Sequence, residues 1–129
     1  MAVVTEFTVT LDHRPGALAT LAEVLAQAGI NINSVQGLPC GGQGIFQLVT
    51  NEPTDTHRAL QAAGIEYIIR DVLVVRLEDQ PGSLAQVARQ LGNANINIDS
   101  VYATLGGQVV LGVDALEPAL RIAQQLGIV

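Results

Sequence analysis

The chain has no tryptophan and only two tyrosines and two phenylalanines in 129 residues. Stacking platforms for bases are therefore scarce, and stacking carries much of sequence-tolerant binding to single strands. Positive charge is thin as well: six Lys and Arg stand against twelve Asp and Glu, a formal net charge of −6. Phosphate backbones select for the opposite balance, so nucleic acid is excluded as a partner. The single cysteine, Cys40, excludes an intrachain disulfide framework and points to a reducing compartment. No run of 18 apolar residues could cross a membrane. The opening MAVVTEFTV has neither the basic start nor the long apolar core of a secretory signal. The expectation is a soluble, cytoplasmic protein without a membrane partner.

Charge of either sign is scarce, at 14% of residues, while 49% are hydrophobic and the mean hydropathy is +0.38. The apolar mass is Val, Ile, Leu and Ala. We read the excess as buried sheet plus an interface between copies, and so expect a homodimer or larger assembly.

One segment occurs twice. Residues 11–35, LDHRPGALATLAEVLAQAGININSV, and 77–101, LEDQPGSLAQVARQLGNANINIDSV, are identical at 13 of 25 positions at an offset of 66. A fixed-period repeat means two copies of one supersecondary unit. We divide the chain into units 1–70 and 71–129. A unit of roughly 60 residues buries only ~60% of its unfolded surface, so each is expected to lean on the other or on another chain. No Pro/Gly/Ser linker separates them, and near-continuous strand-like sequence from Ile65 to Glu78 predicts rigid coupling.

In the first copy, Phe7, Val9 and Leu11 alternate as one face of a strand. Pro15 is expected at the first helical position, and Leu18, Leu21, Ala22 and Leu25 form the buried stripe of the helix it opens. A strand over Ile30–Val35 is predicted to carry a bulge near Ser34, where its apolar parity shifts. A glycine-rich connection over 37–44, a strand over 45–50, a helix from Pro53 capped by Gly64, and a strand over 65–69 follow. The order is βαββαβ, an α+β unit with helices on one face of an antiparallel sheet. The second copy repeats it, with Leu84, Val87, Ala88 and Leu91 on the helix stripe and Asp114 or Glu117 capping the last helix. After Leu126 only three residues remain, so this unit lacks most of its last strand and its sheet edge needs another cover.

Each copy also places Pro-Gly before a helix. Free N–H groups and the positive end of the helix dipole there favour an anion such as a carboxylate. Glycine lets ligand atoms approach the backbone. Carboxamide and carboxylate side chains nearby can accept from an ammonium group.

Strand, short polar turn, Pro-Gly, leucine-striped helix, then Asn-Ile fifteen residues after the glycine, twice, resembles a tandem pair of ACT domains. The resemblance covers almost the whole chain. It implies two ferredoxin-like units that bind a free amino acid at interfaces between copies. It implies no catalysis and no cofactor, and a regulatory partnership with an enzyme of amino-acid biosynthesis. The family pattern points to His13 and Asp79, two before each proline, and to Asn31 and Asn97 at the start of the second strand. The full candidate set in the first copy is Asp12, His13, Pro15, Gly16, Ala17, Leu18 and Asn31. In the second it is Asp79, Gln80, Gly82, Ser83, Leu84 and Asn97. His13 and Asp79 differ in charge, which leaves open whether both sites take the same ligand. Asp99, where the first copy has Asn33, is either a tilt toward a basic ligand or a solvated strand residue.

Other chemistries lack their residues. GGQG lacks the GK[ST] ending of a phosphate loop. Cys40 has no neighbouring His or Cys and reads as a bystander; His57 reads as a surface residue; no spacing suits a metal. An acylphosphatase-like enzyme on the same fold would need a loop arginine, and Arg14 has Gln80 as its counterpart. An assembly module with vestigial pockets is the other alternative.

Overall fold

The computed structural model describes residues 2–104 and 106–129. Among these the chain forms six strands and four helices in two βαββαβ-like units, a tandem ferredoxin-like α+β fold. The elements are β1 (Val3–Asp12), α1 (Ala17–Gln27), β2 (Ile32–Cys40), β3 (Gln43–Thr50), α2 (Pro53–Ala62), β4 (Glu66–Arg76), α3 (Ser83–Asn93), β5 (Ile98–Ala103), β6 (Gln108–Val113) and α4 (Leu116–Gln125). One unit is Thr5–Arg70; the other joins Met1–Val4 to Asp71–Val129, so the division falls inside β1 and β4. The strand placed at 65–69 from sequence continues to Arg76 as one strand, β4.

In the first unit the strand order is β2-β3-β1-β4. β1 and β3 are antiparallel, with Phe7 opposite Leu48 and Val9 opposite Phe46. Phe7, Val9 and Leu48 meet Leu21 and Leu25 of α1 and Leu60 of α2 in one core, every one of them at most 1% exposed. Fully burying side chains of this size is worth roughly 1.5–3 kcal/mol each, and that burial holds the helices on the sheet. Leu18 is not part of this stripe. It is 47% exposed in the first turn of α1, and the buried stripe begins only with Leu21.

The second strand is longer than the sequence suggested. β2 continues to Cys40, and Gly41-Gly42 alone make the turn to β3. Both turn residues have positive φ, 57° and 80°. That is the two-residue geometry whose twist matches paired strands, and it is open to glycine where larger residues are strained. Gly37 is instead a strand residue facing Phe46; a Cβ there would lie 2.5 Å from the Phe46 ring. The predicted bulge is present as a register shift between Ile32 and Ser34. On the sheet face away from the core, Glu6 is fully buried and accepts a hydrogen bond from Arg70 Nε at 2.8 Å.

The second unit orders its strands β5-β6-β4. Leu73 and Val75 of β4, Leu111 of β6, Val87 and Leu91 of α3, and Ala119 and Ala123 of α4 form its core. Leu84, like Leu18, is 47% exposed ahead of the stripe. The small residues Ala119 and Ala123 give α4 a smooth buried face. Ala115, not Asp114 or Glu117, is the N-cap of α4, and no side chain caps it. The free edge of β4 is covered without a full fourth strand: Val74 N–H donates to the Ala2 carbonyl at 2.7 Å and Arg76 N–H to the Ile128 carbonyl at 2.8 Å. The edge that the sequence left in need of another cover thus has these two donors satisfied from within the chain.

Candidate functional site

The Pro-Gly loops differ from expectation at the helix start. α1 begins at Ala17 and α3 at Ser83, so Pro15 and Pro81 stand in the preceding turns. The N-caps are Gly16 and Gly82, both left-handed, with φ 88° and 93°. A Cβ at either would meet nothing within 4 Å. The conformation therefore demands glycine, rather than close approach of another group. Because a glycine caps each helix, no side chain bonds its first-turn N–H groups. The first N–H of each helix turns back to the loop, Ala17 to the Arg14 carbonyl at 3.2 Å and Ser83 to the Gln80 carbonyl at 3.4 Å, while the positive dipole end still faces the loop.

An open cleft lies beside each loop. In the first unit, about 310 Å³ is lined by Thr10, Leu11, Asp12, Arg14, Ala17 and Thr20, with Gln43 and Gly64–Glu66 opposite. In the second, about 620 Å³ is lined by Arg76, Leu77, Glu78, Gln80, Ser83 and Gln86, closed by Val87, Gly107 and Leu126–Ile128. The correspondence is position by position: Leu11 with Leu77, Asp12 with Glu78, Arg14 with Gln80, Ala17 with Ser83, Thr20 with Gln86. Gly64 and Gly127, each with positive φ, follow the second helix of each copy and turn the chain onto the cleft wall. A smaller adjoining cleft of the second unit adds Asp79 and Leu84 to the same loop.

Thus the structure brings Asp12 and Ala17 to one cleft, and Asp79, Gln80, Ser83 and Leu84 to the other loop's clefts. His13, Pro15, Gly16, Leu18, Gly82, Asn31 and Asn97 line none of these. His13 serves the loop through its backbone, its N–H donating to the Gly42 carbonyl at 3.1 Å.

The asparagines have a local task. β2 and β5 start at Ile32 and Ile98, so Asn31 and Asn97 precede the strands on which they were placed. Asp114 accepts from Asn97 N–H at 3.0 Å and from its side-chain amide at 3.1 Å. Asp114 N–H returns a bond to the Asn97 carbonyl at 3.2 Å. In the first unit Asn51 stands for Asp114: its side chain accepts from Asn31 N–H at 3.0 Å, and its N–H donates back at 3.1 Å. Each clamp ties the start of one strand to the end of its neighbour. His57, exposed as expected, pairs through Nδ1 with the Tyr67 hydroxyl, the two rings meeting edge to face.

Sequence reasoning missed the far wall of each cleft, Gly64–Glu66 and Leu126–Ile128, and the strand residues Thr10 and Arg76. The far wall lies some fifty residues from the loop in sequence, and only the packed fold brings the two together. Arg76 had a usable signal, since it breaks the apolar run ahead of the second loop. Among the described residues no cluster of His, Cys, Asp and Glu could hold a metal, and no helix is long and apolar enough to cross a membrane.

Two ferredoxin-like units in one chain, each with a glycine-capped helix beside a polar cleft, define a tandem small-domain protein. A family model for the ACT domain pair matches residues 1–121, and the chain belongs to that family. No curated protein matches it. Solved structures share the fold. A protein of Bacteroides thetaiotaomicron superposes with TM-score 0.90 at 22% identity, covering 98% of this chain and 90% of that one. The ligand-free regulatory subunit of aspartate kinase from Thermus thermophilus gives 0.67 at 20%, covering 96% and 91%. The corresponding subunit from Thermus flavus gives 0.61 at 19%, covering 97% and 96%.

Proposed function

We propose that this chain is a non-catalytic sensor of a free amino acid and regulates a partner enzyme of amino-acid metabolism by association. The observation that carries the reading is the recurrence of one polar cleft, built from corresponding positions, beside both glycine-capped helix starts. A free amino acid presents a carboxylate and an ammonium a few ångströms apart. The helix N–H groups with Arg14 or Arg76 suit the first. Asp12 or Glu78 suits the second. Membership of the ACT pair family favours a regulatory role, and a chain of this fold serves as the regulatory subunit of aspartate kinase in Thermus thermophilus. Exposed Leu38, Ile68 and Ile69, each above half exposure, favour burial against a second copy or the partner enzyme. The clefts are the proposed sites; Asn31 and Asn97 act as the clamps that hold β2 and β5 in register.

The test is thermal denaturation against each of the twenty amino acids. A ligand that binds only the folded state stabilises it by about 2.7 kcal/mol at a hundred times its Kd. At least one amino acid should raise the melting temperature, with a rise that grows logarithmically in concentration. A panel without any such rise removes the proposal.

A further inference from the structure

We infer that Gln43, at the end of the β2–β3 hairpin, is a ligand-binding residue of the first cleft: its side-chain carbonyl and the Asp12 carboxylate together accept from the ammonium of the bound amino acid. The second cleft has no such residue. The inference rests on the proposed amino-acid binding and extends it to a contact outside the Pro-Gly loop.

Gln43 lies directly opposite Asp12 on the β1–β3 ladder. Opposite residues of an antiparallel pair leave the sheet on the same side, with Cβ atoms roughly 4.5–5.5 Å apart. One cation therefore fits between the two side chains. Both residues line the first cleft, Asp12 at the end of β1 and Gln43 at the start of β3. The Pro-Gly loop is fastened to this hairpin, since His13 N–H donates to the Gly42 carbonyl at 3.1 Å. That bond holds Gln43 beside the cleft and lowers the ordering cost of binding.

Both side chains are exposed, and neither makes a hydrogen bond or ion pair among the described residues. Two rungs along the same face of β3, Gln47 behaves differently. It is the cross-strand partner of Gln36, and Gln36 Nε2 donates to Gln47 Oε1. Gln43 and Asp12 stand in the same relation across β1 and β3 and leave both acceptors open. An ammonium carries three donors and satisfies a carboxylate and an amide carbonyl at once. Arg14, on the same cleft, is left for the ligand's carboxylate.

The second unit departs at this position. Its hairpin is shorter: eighteen residues separate Ile32 from its partner Thr50, and fifteen separate Ile98 from Val113. Arg76 pairs with Gln108, so the register carried on by two residues sets Gly106 across from Glu78, the counterpart of Asp12. Gly106 has no side chain to offer. Of the described residues between β5 and β6, Gly107 alone lines that unit's clefts.

The experiment is titration calorimetry with each of the twenty amino acids on the parent, repeated on variants with every one that binds. Gln43→Ala should weaken one site about tenfold, the value of a hydrogen bond to a charged group, and leave the other unchanged. Gln43→Glu keeps an acceptor there and should bind at least as tightly as the parent. Gln43→Lys offers donors only and should bind more weakly than Gln43→Ala. Gln47→Ala, on the same face but outside the cleft, should leave both sites at the parent's affinity. Parent affinity in Gln43→Ala or Gln43→Lys, or an equal loss in Gln47→Ala, would overturn the inference and leave amino-acid sensing intact. Failure of every amino acid to bind the parent would overturn both.

Discussion

Two glycine-to-alanine changes in one helix region should move stability in opposite directions. Gly82 caps α3 with φ 93° and ψ −13°, while Gly92 lies inside α3 with an ordinary φ. A Cβ built at either position meets nothing within 4 Å, so crowding is the same in both and only the backbone differs. Alanine in the left-handed region costs roughly 1–2 kcal/mol. Alanine at a helical position whose glycine gains nothing from its freedom stabilises by roughly 0.5–1 kcal/mol. Gly82→Ala should therefore lower, and Gly92→Ala raise, the unfolding free energy, a difference of about 2 kcal/mol between them. Gly82→Asn should fall between Gly82→Ala and the parent, because asparagine tolerates this conformation. Urea melts with a common slope read the three values directly. If Gly82→Ala were neutral, conformation would not be the reason for glycine, and the reason would lie with a ligand or partner at the loop.

Three further outcomes follow from the packing. Asp114→Ala leaves two Asn97 donors without their acceptor and should cost about 1–2 kcal/mol, more than Asn97→Ala, which loses only the side-chain amide bond and keeps both backbone bonds of the clamp. Gly37→Ala pushes a methyl onto the Phe46 ring and should cost about 1–3 kcal/mol, whereas Gly41→Ala, in open space, should cost only its left-handed conformation, about 1–2 kcal/mol. Arg70→Met removes the guanidinium beside the buried Glu6 carboxylate and should cost about 2 kcal/mol or more; the double change with Glu6→Met should recover part of that, as a double-mutant cycle in denaturant would show.

The repeat made the fold legible, because one βαββαβ pattern written twice limits the topologies that bury both sets of stripes. Alternation at Phe7, Val9 and Leu11 and the parity shift at Ser34 located a strand and a bulge, since both are local consequences of side-chain period. The misplacements came where a backbone angle decided the matter. Pro-Gly reads as a helix start with proline first, yet the glycine's left-handed turn places the proline outside. A glycine-rich stretch reads as a loop, yet only Gly41 and Gly42 turn, and Gly37 is absent a side chain because Phe46 occupies its space. The candidate site divided the same way. Loop residues such as Asp12, Gln80 and Ser83 could be named from the motif, while Glu66, some fifty residues away in sequence, needed the tertiary fold. Asn31 and Asn97 carried a repeated signal whose cause is a clamp to Asn51 and Asp114, a pairing between distant residues that no local pattern displays.

The most direct measurement is the number and strength of amino-acid sites per chain, by titration calorimetry on the parent and on Arg14→Gln, Arg76→Gln and the double variant. Two sites per chain are expected, each single variant weakening one of them about five- to tenfold and the double variant weakening both. An amino acid that bound the double variant with the parent's affinity and stoichiometry would place its site away from the Pro-Gly clefts and contradict the account.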